Sequence, residues 1–165
     1  MSQIKTAVLL VLSTLMFLLW ASQPQAEPSK LKTCEHDQST FRCVKYLKNY
    51  DGDTATFDIP GVHPLLGEKA SVRIKGIDTP EKNGKKPCEK DQARVAQRLV
   101  ENLLKNAQSI ELRKIERDKY FRILAEIWVD EKSIGDLLIK NKVAYPYDGG
   151  RKPADTNWCL SQSPR

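Results

Sequence analysis

Histidine is almost missing from this chain: 165 residues hold two, His36 and His63. Neither stands near a serine or cysteine that it could activate, so nucleophilic catalysis of the Ser-His or Cys-His kind is not supported. Cysteine is sparse too. Of the four, Cys34 and Cys43 with His36 match no common zinc-ligand spacing. Long apolar runs are lacking apart from one near the start, "AVLLVLSTLMFLLWA"; at about 15 residues it is short for a membrane span and has the length of a signal-peptide core. The sequence contains no internal repeat and no low-complexity block.

The apolar run follows Lys5 and leads into "ASQPQA". Residues 1–26 therefore read as an export signal cleaved after Ala26; because Pro24 sits where a small residue is preferred, an uncleaved membrane anchor is the alternative. Removing them takes out only Lys5 and leaves 27 less one basic against 21 acidic side chains, net +5. That balance suits a polyanionic partner. An even set of cysteines in an oxidising compartment favours two disulfides. Three pairings are open, and we favour Cys34 with Cys43, closing a short loop, and Cys88 with Cys159, tying the C-terminal tail to the middle of the chain.

After a polar segment at residues 27–40, "FRCVKYLKNY" and "TATFDI" have the composition of two strands around a "DGD" turn. "PGVHPLLGE" reads as a loop. "ASVRIKGI" reads as a third strand, with Ala70, Val72 and Ile74 on its core face and Ser71, Arg73 and Lys75 on its polar face. In "KDQARVAQRLVENLLKNAQ" the apolar residues Ala96, Leu99, Val100, Leu103, Leu104 and Ala107 follow helical spacing. "SIELRKI" and "RILAEIWV" supply two more strands, and a second helix is predicted over about 133–142, where Ser133 and Asp136 have capping-box spacing. This order predicts an α+β, β-dominated domain: a five-stranded OB-fold barrel over residues 41–147, with one helix between strands 3 and 4 and another after strand 5. Residues 148–165 form a disulfide-tethered tail.

Two carboxylate-bearing segments end strands. "DGDT" carries Asp51 and Asp53, and "DTPE" carries Asp78, Thr79, Pro80 and Glu81. Each alone has a plain explanation, as a turn or as the capped start of a helical turn. Together with "RDKYFRILA", which adds Lys119, Tyr120 and Arg122, they meet the needs of phosphodiester cleavage: hard oxygens for a cation, a carboxylate base, and guanidinium groups for phosphoryl oxygens. Asp53, Asp78 and the Thr79 carbonyl are calcium-type donors, Glu81 is left as base, and Arg73 and Arg122 can fork to phosphate.

"DGDT", "VRIKGIDTPE", "DKYFRILA" and "GDLLIKNKVAYPY" resemble, in order and spacing, the motifs of the staphylococcal (micrococcal) nuclease, or thermonuclease-like, family over residues 41–147. The resemblance implies that Asp53, Asp78 and the backbone of Thr79 bind Ca2+, that Arg73, Glu81 and Arg122 are catalytic, and that Lys119, Tyr120, Tyr145 and Tyr147 hold the nucleotide. Stacking on tyrosines suits single-stranded or flexible DNA and RNA. Two departures stand out. Phe121 occupies the place where the family usually has glycine, and a Gly-Gly tail ending in Cys159 replaces the C-terminal helix of the best-known member.

The expectation is thus an exported, calcium-dependent nuclease acting on DNA and RNA. Two rivals remain: a non-catalytic OB module that binds nucleic acid or acidic polysaccharide, and a membrane-anchored structural or assembly factor. A pure binder has no need of a carboxylate such as Glu81 facing a polyanion.

Overall fold

The computed structural model describes residues 34–150, 152 and 157–159. The expected signal or anchor at residues 1–26 lies outside them. Among the described residues no helix is long and apolar enough to cross a membrane.

Among the described residues nine strands and three helices follow one another: β1 Thr40–Phe41, β2 Lys45–Asn49, β3 Thr54–Asp58, α1 Pro64–Gly67, β4 Ala70–Ile74, β5 Ile77–Asp78, α2 Pro87–Lys105, β6 Ile110–Arg117, β7 Ile123–Val129, β8 Lys132–Ser133, α3 Ile134–Lys140 and β9 Tyr145–Pro146. The main sheet has the hydrogen-bonded order β1-β6-β7-β4-β3-β2, with β8 added to β7, and β5 pairs with β9 separately. All neighbours in the main sheet are antiparallel except β4 and β7, which run parallel.

The five expected strands correspond to β2, β3, β4, β6 and β7. Their order is open, ending at β1 and β2, and no closed barrel is found among the described residues. The extra pieces arise where the backbone turns left-handed. Cys43, with φ 54, separates β1 from β2, and Gly76, with φ 82, separates β4 from β5. The segment expected to be all loop contains α1, a single turn started by Pro64 and capped by the His63 side chain, which accepts from the Leu65 N–H.

Alternation on β3 and β4 puts Ala55, Phe57, Val72 and Ile74 in the core at 1 % exposure or less. Removing an aromatic such as Phe57 from water contributes about 1.5–3 kcal/mol. Helix α2 seats Ala96, Val100 and Leu104 on the same core, with Leu99 and Leu103 at its margin; the helix ends at Lys105, and Ala107 packs against the core from beyond it. Ser133 caps α3 by accepting from the Asp136 N–H at 3.2 Å, as its spacing predicts.

Both favoured disulfides are present: Cys34–Cys43, with Cα atoms 5.4 Å apart, and Cys88–Cys159, at 5.3 Å. The second joins the N-terminal end of α2 to a point 71 residues later. It thereby keeps Cys159 beside the segment that follows "DTPE".

Candidate active site

The site is assembled on β4. Register pairs Thr54 of β3 with Arg73 of β4, and the Ile74 N–H donates to the Asp53 carbonyl at 2.8 Å. Asp53 therefore stands beside Arg73 by strand pairing. The break at Gly76 then turns the chain so that Asp78, five residues beyond Arg73, returns to the same guanidinium. Arg73 bridges the two carboxylates, Nη1 to Asp53 Oδ1 at 2.6 Å and Nη2 to Asp78 Oδ1 at 2.9 Å. Both aspartates are almost fully buried. Burial works against charge on Arg73, but Asp53 and Asp78 outweigh it and raise its pKa.

The two aspartates of "DGDT" divide the work. Asp51 Oδ1 accepts from the N–H groups of Asp53, at 3.1 Å, and Thr54, at 2.8 Å, and so closes the turn. Asp53 is released to the site, where Thr79 Oγ1 donates to its Oδ2 at 3.1 Å. Burial, and then the charge of Asp53, push the Asp51 carboxyl up to about 6. Gly52 is required by close approach: a Cβ there would lie 2.7 Å from Ala96 Cβ on α2 and 3.0 Å from Thr79 Cγ2. The turn is wedged between the helix and the second carboxylate segment.

Arg122 enters from the opposite side of β4, on the turn joining β6 and β7. Asp118 holds it, accepting from the Arg122 backbone N–H at 2.9 Å and from Nε at 2.7 Å. Although burial opposes it, the bonding to Arg122 and the turn lowers the Asp118 pKa. Phe121, in the family's glycine position, adopts φ 63 with its ring 81 % exposed. A left-handed non-glycine residue costs roughly 1–2 kcal/mol, so Phe121→Gly is expected to stabilise the fold by about 1 kcal/mol after the entropy of glycine is discounted. A higher thermal midpoint checks this, and a lower one contradicts it.

Asp53, Arg73, Asp78, Thr79, Glu81, Lys119, Tyr120, Arg122 and Tyr147 line one cleft of about 1130 Å³. Tyr145 does not line that cleft. The β5–β9 pair sets it opposite Asp78, its hydroxyl donates to Asp78 Oδ2 at 2.8 Å, and its ring packs near Tyr147 and Trp158.

Two contributors escape the motif-based sequence reading. Asp118 is one; its position four residues before Arg122 was the available signal. The other is Lys152, whose Nζ lies 2.9 Å from Asp78 Oδ2 and 3.0 Å from Glu81 Oε1. Burial disfavours the charge of Lys152, but its bonds to Asp78 and Glu81 prevail and raise its pKa. Nothing local marks this lysine; the β5–β9 pair before it and the Cys88–Cys159 link after it bring the chain back to Asp78.

Among the described residues no three His, Cys, Asp or Glu side chains converge as a metal cage. The donor chemistry nevertheless fits a hard cation. Two buried carboxylates from separate segments meet at one guanidinium, and both already attract positive groups; calcium completes such partial sets with carbonyls and water.

The profile of the staphylococcal nuclease homologue family matches residues 71–163. The chain is 34 % identical over 94 residues to endonuclease YncB of Bacillus subtilis (strain 168), covering 54 % of this chain and 44 % of that protein. It therefore spans less than half the length of that relative. It is also 25 % identical over 145 residues to the thermonuclease of Staphylococcus hyicus, covering 87 % of this chain and 81 % of the relative. The matched span exceeds half of the sequence: the chain belongs to the staphylococcal nuclease family, whose domain is an OB-fold.

Proposed function

We propose that this chain is an exported nuclease that hydrolyses phosphodiester bonds of DNA and RNA and depends on calcium. One observation carries the reading: Glu81, Arg73 and Arg122 share a single cleft with the Asp53–Asp78 carboxylate pair. Family membership and two relatives named as nucleases support it.

Asp53, Asp78 and the Thr79 carbonyl would hold calcium, which when bound supplies a hard positive charge to phosphoryl oxygens. Arg73 on β4 and Arg122 on the turn before β7 both line the cleft and offset the charge that builds on those oxygens. Glu81 orients a water and takes its proton; the water oxygen forms the new P–O bond as the bond to the leaving sugar oxygen breaks, and that oxygen takes a proton from solvent. Lys119 meets phosphate, and Tyr120 and Tyr147 offer faces to the bases. Tyr145 serves by fixing Asp78.

Export is inferred from residues 1–26 and from the two disulfides, which persist in oxidising compartments. The test is incubation of the purified chain with single-stranded and duplex DNA and RNA in calcium, followed by analysis of product ends. Shortened strands are expected, single-stranded substrates fastest. Binding without cleavage would favour the non-catalytic module instead.

A further inference from the structure

We propose that Tyr50 and Lys82 form an additional nucleotide subsite, taking the base and phosphate on the side of the scissile bond away from Tyr120. The inference rests on the nuclease reading. Tyr50 is 61 % exposed, which no packing requirement of the core explains, since its ring is outside the core cluster. Lys82 Nζ sits 4.4 Å from the centroid of that ring and donates to the Tyr50 carbonyl at 2.9 Å. Ring and ammonium are thus presented as one unit.

The unit is preorganised and lies next to the chemistry. The Tyr50 N–H donates to the Thr54 carbonyl at 3.0 Å. Asn49 Nδ2 donates to the carbonyls of Asp51, at 2.8 Å, and Gln97, at 3.0 Å, anchoring the turn to α2. Asp51 and Glu81, the chain neighbours of Tyr50 and Lys82, both line the cleft. Across the cleft the same construction recurs: Lys119 Nζ and the Arg122 guanidinium lie 5.3 and 5.5 Å from the Tyr120 ring centroid. Tyr50 lies on the turn that leads into β3 and Tyr120 on the turn that leads into β7, and β3 and β7 flank β4, which carries Arg73, on opposite sides. A strand whose scissile phosphate lies at Arg73 meets Tyr120 in one direction and Tyr50 in the other. Base-on-aromatic stacking is worth about 1–3 kcal/mol per base and tolerates any sequence.

The test uses the full chain carrying Glu81→Gln and a ladder of fluorescent single-stranded oligonucleotides from two to eight nucleotides, with binding read by anisotropy. Tyr50→Ala is expected to weaken the longer oligonucleotides by about fivefold to a hundredfold while sparing the dinucleotide. Lys82→Gln should act in the same direction, Tyr50→Trp should retain affinity, and Leu65→Ala, at an exposed residue outside the cleft, should match the parent. Parental affinity of Tyr50→Ala at every length overturns the subsite, and so does an equal loss that includes the dinucleotide. If the chain with Glu81 intact neither binds nor cuts any oligonucleotide, the nuclease reading falls first and takes this inference with it.

Discussion

Glu81→Gln is expected to lower turnover by about two to four orders of magnitude, the usual worth of a positioned general base, while leaving oligonucleotide affinity within a small factor. The substitution keeps the shape of the side chain and removes its ability to take a proton. Glu81 is well exposed, and its side chain pairs with the half-exposed Lys152, not with a core residue, so the thermal midpoint should hardly move. A fall in kcat without a rise in Kd is the signature of a group that acts in the transition state alone. A binding module would show nothing of the kind, having no turnover to lose. Steady-state cleavage and anisotropy on the same preparation separate the two, and parental kcat in the mutant removes Glu81 from the mechanism.

The sequence shows that carboxylates end two strands but not which of them meet. Asp51 and Asp53 have the same side chain one residue apart, and only the hydrogen bonds of Asp51 to the Asp53 and Thr54 N–H groups mark one as the turn residue and the other as part of the site. Alternation of period two made the core faces of β3 and β4 legible, and the helical series did the same for α2, because burial on one face leaves a periodic trace. Two-residue elements leave none. The β5–β9 pair that brings Tyr145 to Asp78 depends on chain segments 67 positions apart, and α1 is too short to show a period. The split of the first expected strand at Cys43 and of the third at Gly76 follows from single left-handed residues, which interrupt a ladder without changing the hydrophobic pattern.

Arg122 illustrates how a local rule can be broken and compensated. A bulky residue at 121 in place of glycine is expected to displace the arginine that follows it. The structure instead shows Asp118 gripping both the backbone and the guanidinium of Arg122, so the strain is confined to the Phe121 backbone while the arginine still lines the cleft. Strain of this kind persists where the surrounding bonds over-determine a conformation.

Chelation of calcium is expected to abolish cleavage, and magnesium to restore it poorly. Asp53, on the turn into β3, and Asp78, on β5, would be joined by one carbonyl, with the remaining positions left to water and substrate; calcium accepts irregular sets of six to eight oxygens, whereas magnesium demands a near-ideal octahedron and sheds water reluctantly. The same carboxylates converge only in the folded chain, so calcium at about a hundred times its Kd should add about 2.7 kcal/mol to stability and raise the thermal midpoint, a readout independent of activity. Asp78→Asn should remove most of that calcium-dependent rise together with the cleavage. Arg73 would then face a single buried carboxylate at 2.6 Å in place of two, so the metal-free mutant should still fold. Full activity in excess chelator, or a midpoint indifferent to calcium in the parent chain, contradicts the metal assignment while leaving the roles of Glu81, Arg73 and Arg122 to be judged by their own substitutions.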